Sequence, residues 1–518
     1  MQRGTRIVIA IMLSVIVGMA VLYYVFLPIW VKQKLQNLTG SKKDEISLQV
    51  KHIHSTFWPI GIVLKNINIQ KSEPAQSTDN HISIARIRIQ GFRWLALLFQ
   101  KKYILDKINV DEILGVWTLP STSDSTEVFT LPFDALCRKF EIRDLNLRLK
   151  QRDSNQETTL ENAYLVISNF SLQKDSILTS NAFEIHELTL PFIQHVSADS
   201  LYTYRAHQLD YSDKSLSLKM DSLLMLPNYA NYIFAQRHEF QTDRIHVELK
   251  GLSVAQCNLD LMLSDGDLYA SSISIDSFLV DIFRDRRLPF LHKERPLYQD
   301  LLQAYPGKLS IDSITAHQGT ISFSEHDENA PEAGKVWFTE VSATLSHLYN
   351  DSTLNMKNDT LIVTAKALAM GKGEISFTSR GYLFDSQNTF DFSGRMENVS
   401  AAAFNPMLRP NAGIMAKDGY VKGLYFNFIA DHVLAKGDLL FRYNDLLLYA
   451  TDKETGLKKG LKNRLLTTAL DRKILDANPM PNDSLRHGQI HYERDPEKMY
   501  FAYIFKSIFS GIKTSVEK

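Results

Sequence analysis

One eight-residue rhythm recurs along this chain of 518 residues and limits what it can fold into. Two apolar residues flank a spacer, two mostly polar residues follow, and two more apolar residues flank a second spacer. Alternation with period two is typical of a half-buried strand, so the chain should contain many short amphipathic strands. Eleven non-overlapping copies begin at Ile62, Ile82, Tyr103, Phe140, Leu165, Phe183, Leu218, Val247, Ile273, Leu309 and Val336. A chain that is 44% apolar would match the pattern roughly six times by composition alone, so the count is an excess over chance.

The polar pair in the middle of each copy shifts the phase of the alternation. A strand that continued without adjustment would turn its second apolar pair to the opposite face. We therefore expect a bulge or a turn at each break, which would keep one face apolar along its length. Aspartate or asparagine, which suits a local turn, occupies the break at Asn66, Asp106, Asp144, Asp221, Asp276 and Asp312.

The N-terminus carries a second strong signal, because Ile7 to Leu27 contains 21 residues without a charge. A helix of that length would be about 32 Å long, enough to span the hydrocarbon core of a bilayer. We predict an uncleaved membrane anchor over residues 1–31, with a short cytoplasmic tail before it. A cleavable signal peptide, with Gly18 and Ala20 before the cut, is the alternative.

Behind the anchor, the pattern predicts a long repetitive sheet. The predicted parts are a first half of the sheet at 32–290, a helical connector at 291–307, a second half at 308–450 and an amphipathic helical segment at 451–518. Residues 91–100 predict a short helix that either plugs one end of the sheet or touches the membrane.

The last segment predicts two helices. The basic amphipathic stretch 458–475 is expected either to lie on an anionic membrane or to pack over the open end of the sheet. A second helix should start at Asp495, with Pro496 in its first turn, and should stop near Gly511. The residues expected to share one face of it are Phe501, Ile504, Phe505, Ile508 and Ile512.

Charge and motifs argue against several classes of function. The 58 Lys and Arg residues balance the 58 Asp and Glu residues, so nucleic acid is not an expected partner. Cys137 and Cys257 stand far apart and outside any metal-ligand spacing, and we predict that both are small buried hydrophobes. The motifs of hydrolases, nucleotide-binding proteins and metalloproteases do not occur, so we expect no enzyme, no catalytic residues, no metal site and no cofactor.

Three stretches, 60–69, 419–426 and 436–443, read IGIVLKNINI, GYVKGLYF and KGDLLFRY. Together with the anchor they resemble the AsmA-like superfamily of bacterial envelope proteins, which includes TamB and is related to the chorein-type bridge proteins. The resemblance implies an inner-membrane protein whose periplasmic sheet curls into an elongated groove with an apolar interior. It further implies phospholipid transport between membranes or outer-membrane maintenance, with outer-membrane proteins or a transport complex as further partners.

The predicted fold class is mostly β, a curled antiparallel groove with short capping helices, and a physical argument supports the same mechanism without the resemblance. Roughly 20 strands at about 4.8 Å would give a sheet about 100 Å long. Its apolar face must be covered by a second layer or by lipid tails, and the sequence offers few helices to cover it. The expected lipid contacts are Ile62, Leu64, Ile84, Ile87, Leu147, Ile185, Ile275 and Ile311.

Two other functions stay open from the sequence. An envelope structural or assembly factor would bind an outer-membrane client along a strand edge by β-augmentation. A β-sandwich adhesin or scaffold would instead enclose a dry core.

Overall fold

The computed structural model describes most of the chain behind the predicted anchor. The described residues are 28–29, 31, 46–56, 60–71, 80–93, 102–119, 134–173, 182–351, 353, 360–451, 474–480 and 484–518. Strands hold 64% of them, which confirms the prediction of a mostly β protein. Among these residues no helix is long and apolar enough to cross a bilayer. The predicted span Ile7–Leu27, residues 458–473 of the basic helix and residues 94–100 of the predicted plug lie outside the described residues.

The chain divides into two compact units. Unit 1 comprises residues up to Ser200 with Tyr204–Leu218, and unit 2 comprises Leu201–Thr203 with Lys219–Lys518. The connector expected at 291–307 lies inside unit 2 and contains a helix of six residues, α3.

Unit 1 is built from long strands. They are β1 (Ile46–Thr56), β2 (Gly61–Lys71), β3 (Asn80–Gln90), β4 (Lys102–Leu119), β5 (Asp134–Gln151), β6 (Glu157–Leu172), β7 (Glu184–Val196) and most of β8 (Tyr202–Ser212).

Unit 2 combines strands with five short helices among its described residues. Its strands are most of β9 (Ser217–Pro227), then β10 (Asp243–Ala255), β11 (Leu268–Asp285), β12 (Leu309–His326), β13 (Gly334–Tyr349), β14 (Thr360–Ala369), β15 (Gly373–Tyr382), β16 (Phe390–Ser400), β17 (Ile414–Ala430), β18 (Leu434–Ala450) and β19 (His487–Glu493). Its α-helices are α1 (Asn231–Ala235), α2 (Leu259–Ser264), α3 (Tyr298–Gln303), α4 (Asn405–Met407) and α5 (Tyr500–Val516); a 3₁₀ turn (Ala401–Phe404) and a π turn (Leu408–Ala412) flank α4.

Antiparallel pairing of consecutive strands predominates, but two pairs are parallel. These are β4 with β5 and β11 with β12, so the prediction of an antiparallel sheet is wrong at both places. A parallel pair needs a crossover of a dozen or more residues. The sequence has 14 residues between β4 and β5 and 23 residues between β11 and β12, enough for such a crossover. The eight-residue rhythm carries no signal of strand direction.

Two of the expected breaks in unit 1, at Asn66 and Asp144, coincide with a left-handed residue, and a third such residue, Glu112, was not expected. Asn66, Glu112 and Asp144 all have left-handed backbones, with φ of 54°, 57° and 55°. The ladder skips each of them: Asn66 lies opposite Ala85, Ala85 lies opposite Glu112, and Glu112 lies beside Asp144. The phase slips therefore run in a row across four neighbouring strands, so adjacent strands change phase together and keep a common face.

At other breaks the left-handed residue lies on the neighbouring strand instead of at the aspartate. Gly91 and Gly251 have φ of 71° and 62° and lie opposite Asp106 and Asp276. A Cβ on Gly251 would lie 2.1 Å from Oδ2 of Asp276, and one on Gly91 would lie 2.3 Å from Oδ2 of Asp106. Each aspartate thus packs against a left-handed glycine of the adjacent strand. The sequence of one strand cannot predict this contact, because it involves two strands.

The C-terminal segment departs from its prediction. It contains β19, which was not expected because His487, Gly488 and Gln489 carry little strand signal. Asp495 caps a turn through Glu497 N, and α5 begins only at Tyr500 and continues through Gly511 to Val516. The expected stop at Gly511 is wrong because this glycine allows close packing on the sheet.

The largest described core lies in unit 2, where β16–β19 pack against α5. Fully buried aromatic rings of Phe390, Phe428 and Tyr443 form it together with Leu439 and Ile490. Both cysteines are buried, as expected, and burial raises the pKa of each thiol.

Candidate functional site

One face of unit 1, the apolar face, gathers the aliphatic side chains of the eight-residue rhythm. Ile62, Leu64, Ile67 and Ile69 stand on both sides of the break at Asn66, yet all four join one hydrophobic cluster. The left-handed residue therefore keeps both apolar pairs on one side, as the sequence predicted.

Four rows of directly opposed side chains cross this face. They are Ile62, Ile89, Ile108, Phe140, Ile167 and Ile185; Leu64, Ile87, Val110, Ile142, Leu165 and Leu188; Ile67, Ile84, Ile113, Leu145 and Ala163; and Ile69, Ile82, Gly115, Leu147, Leu160 and Ile193. Six of the eight expected lipid contacts belong to these rows. Sequence spacing alone could not align them, because alignment depends on strand register.

The expected contacts differ in accessibility. Leu64, Ile84 and Ile185 of unit 1 and Ile311 of unit 2 are buried, with at most 9% of each residue exposed. The half-buried ones are Ile62, Ile87, Leu147 and Ile275. Only this second group offers side-chain surface that a ligand could touch.

Unit 2 has an apolar face of its own, defined by the rows that start at Val247, Leu249 and Leu252. The rows are Val247, Val280, Ile321, Phe338 and Ala369; Leu249, Phe278, Gly319 and Val341; and Leu252, Ile275, Ala316, Ala343, Ala365, Phe377, Gly394, Phe426 and Leu439. Aliphatic residues dominate the first strands, and alanine, glycine and phenylalanine dominate the last.

Helices cover only part of this face within the described residues. Helix α5 packs on the last strands, where Tyr503 and Ile504 join the core of Leu439 and Ile490. Over β10–β13 the apolar side chains are half-buried, including Val247, Leu249, Phe278, Val280 and Ile321. An apolar strip that keeps part of its surface open is a candidate binding surface for nonpolar ligands.

The opposite face of unit 1 is polar and holds a buried carboxylate. Glu141 is only 3% exposed and accepts hydrogen bonds from Lys107 Nζ at 2.9 Å and Arg143 Nε at 2.8 Å. Desolvation would raise the pKa of Glu141, but the bonds from Lys107 and Arg143 outweigh it and lower the pKa to about 2. The group stays ionised at neutral pH, so it binds the sheet together and cannot act as a proton donor there.

Two clefts lie in unit 2, and both polar and apolar residues line each of them. The larger, about 800 Å³, has a floor rich in hydroxyl groups, with Lys366, Arg395, Asp438 and His487 around it. The smaller, about 630 Å³, contains His246, Asp281, Ser322 and Trp337. The larger cleft also has Phe377, Phe426 and Leu439 of the apolar row among its lining residues.

A chain of hydrogen bonds in unit 1 has the order found in hydrolytic triads. His186 Nδ1 bonds to Asp213, and His186 Nε2 lies 2.7 Å from Ser168 Oγ. The carboxylate of Glu184 also lies 3.2 Å from the same hydroxyl. A carboxylate at that distance would repel the oxyanion that forms in acyl transfer, so the arrangement fits a structural network. Adjacent residues in the sequence did not reveal it, because its members come from different strands.

Comparison with models of known protein families finds no match to this chain, and comparison with curated proteins finds none. The resemblance to the AsmA-like superfamily therefore stays a prediction from the sequence.

Proposed function

We propose that this protein is a membrane-anchored periplasmic protein that binds phospholipid and carries its acyl chains along the apolar faces of its two units. The proposal includes an anchor in the inner membrane, a sheet curled into an elongated groove, and a role in outer-membrane maintenance. The observation that carries it is the half-buried apolar strip of Val247, Leu249, Phe278, Val280 and Ile321.

The chemistry of the strip suits acyl chains. Burial of apolar surface is favourable by about 25 cal/mol per Å² and has no directional requirement, so a chain can slide along such a strip. Rows of aliphatic residues on adjacent strands offer equivalent contacts every ~4.8 Å, which would let a tail move in small steps. Polar ligands would need matched donors and acceptors, and these lie on the other face.

Site-specific photo-cross-linking tests the proposal with a matched control. A photoreactive phenylalanine analogue at Leu249 should capture phospholipid, because this side chain lies on the apolar face. The same analogue at Glu248 should not, since Glu248 is the adjacent, equally half-buried residue and points to the polar face. The full chain is expressed in bacteria, irradiated, purified and analysed for lipid adducts by mass spectrometry.

The outcomes separate the alternatives. Lipid adducts at Leu249 and none at Glu248 support transport along the strip. Adducts at neither position would favour an assembly factor if an analogue placed in β1, which pairs with β2, cross-links barrel proteins. Capture of residues of the same chain at Leu249 would mean that the face is closed by its own second layer.

A further inference from the structure

Helix α5 has two apolar sides, only one of which the fold uses. Its inner side, with Tyr503, Ile504 and Gly511, packs on β18 and β19. Its outer side carries Phe501, Phe505 and Phe509, which are 74%, 60% and 64% exposed. The five residues predicted to share one face of this helix therefore differ in exposure, because Ile504, Ile508 and Ile512 pack against the core, whereas Phe501 and Phe505 are exposed.

The helical wheel explains why the phenylalanines are left outside. At about 100° per residue, Phe501, Phe505 and Phe509 lie within about 80° of arc. Ile512 falls inside that arc, and Ile508 lies just beside it. The apolar arc of α5 is thus wider than the strip that the sheet covers. Three phenylalanines at a spacing of four residues form a ridge about 12 Å long, which we call the phenylalanine ridge.

The charges beside the ridge are mainly positive. Lys506 and Lys513 are exposed on its flank, and Lys518 follows at the end of the chain. Glu517 is the one acidic residue of 500–518, and its carboxylate lies 3.7 Å from Lys513. A row of aromatic side chains flanked by lysines matches the headgroup and acyl boundary of an anionic bilayer.

We propose that the phenylalanine ridge docks this protein onto a membrane that contains anionic phospholipid. The three rings enter the acyl boundary, and the lysines extend to the phosphate groups. Because the inner side of α5 is held by the sheet, the ridge enters by the depth of one side chain and the helix lies flat in the interface. The inference rests on α5 alone and does not depend on lipid transport along the strands.

Labelling at the ridge tests the proposal. The full chain is reconstituted in lipid nanodiscs, and single cysteines are introduced at Phe505 (F505C) or, as a control, at Leu263 (L263C), an exposed apolar residue of α2. Both native cysteines are buried, so an environment-sensitive fluorophore attaches to the new one. Vesicles of phosphatidylglycerol should shift the emission to the blue at position 505 and leave position 263 unchanged.

Vesicle flotation with a triple variant extends the test. F501S/F505S/F509S should lower binding to phosphatidylglycerol vesicles at least about ten-fold. K506Q/K513Q should reduce binding to that seen with phosphatidylcholine vesicles. Thermal unfolding monitors the fold, which should be retained because all five side chains are exposed.

Three results would overturn the proposal. One is the absence of an emission shift at position 505 when phosphatidylglycerol vesicles are added. Another is an equal shift at positions 505 and 263. The third is self-association of the nanodisc-held chain that the triple serine variant abolishes, since the ridge would then bind a second copy.

Discussion

Gly488 of β19 lies directly beneath Gly511 of α5, so close that a Cβ on Gly488 would lie 2.0 Å from the carbonyl oxygen of Gly511. A Cβ on Gly511 would in turn lie 2.7 Å from Ile490 Cγ1. The absence of side chains on both residues lets the helix backbone rest on the strand. This contact holds α5 over the last strands and leaves its phenylalanine ridge outside.

Replacement of Gly488 by alanine should therefore lift α5 from the sheet. We expect G488A to lower the free energy of unfolding by about 1–3 kcal/mol, the usual cost of overpacking a tight contact. Urea titration measures the change. H491A, a change at an exposed residue of the same strand, should have little effect, and an equal loss in both variants would contradict the role of the contact.

Asn66 should tolerate glycine but not a β-branched residue. Its φ of 54° is left-handed, and this conformation costs roughly 1–2 kcal/mol for residues other than glycine and asparagine. N66V should thus destabilise unit 1 by about that amount, whereas N66G should be neutral or slightly stabilising. N68V on the same strand is the control, because Asn68 is exposed at a regular ladder position and valine favours strands. Destabilisation by N68V as large as that of N66V would argue against a conformational cause.

Glu141 should make stability depend on acid pH. Its pKa in the folded protein is lowered to about 2, compared with about 4.3 in an unfolded chain. A lowered pKa stabilises the folded state above the unfolded value, and this contribution is lost as pH falls from about 5 towards 2. E141Q should remove that part of the pH dependence and cost about 2 kcal/mol at pH 7, because Lys107 and Arg143 lose their partner but stay partly hydrated. Urea titrations at several pH values measure it, and E161Q, at an exposed glutamate of β6, should keep the dependence of the unaltered protein.

The pair of Gly251 and Asp276 can be examined by a double-mutant cycle. G251A introduces a Cβ that would meet the Asp276 carboxylate at 2.1 Å, and it also places alanine at a φ of 62°. We expect a loss of more than about 2 kcal/mol in the unaltered background and about 1 kcal/mol when D276A is present, since only the backbone strain then remains. Equal losses in both backgrounds, measured by urea titration, would show that the contact with Asp276 has no energetic role.

Local pattern was sufficient to predict the repeated strands and the breaks within them. Each depends on residues close in sequence: alternation at Ile62, Leu64, Ile67 and Ile69 predicts a strand, and Asn66 suits the turn between them. The parallel pairs, in contrast, could not be predicted, because strand direction depends on the path of the crossover and not on the strand itself. The strand β19 was missed because its residues alternate weakly and pair with β18 only in the folded chain.

The sequence likewise predicted one part of the candidate site and missed another. Six of the expected contacts lie in common rows of unit 1, since period-two spacing assigns each residue to a face once the phase slips are counted. Their accessibility could not be predicted from the sequence, because Ile84 and Ile87 have the same local pattern, yet Ile84 is buried and Ile87 is half-buried. The network around Glu141 was also missed, since Lys107 lies 34 positions away on another strand.

The sequence by itself therefore determined the strand content, the apolar side of each strand and the positions where the phase slips, because these follow from contacts between near neighbours in the chain. Only the tertiary structure decided which rows stay half-open and which are covered, and that Phe501, Phe505 and Phe509 face outwards. The physical reason is that the exposure of the phenylalanines depends on how much of α5 the sheet covers where Gly488 and Gly511 meet. The covered part of α5 is set by packing between segments that are distant in the sequence, and no local pattern predicts it.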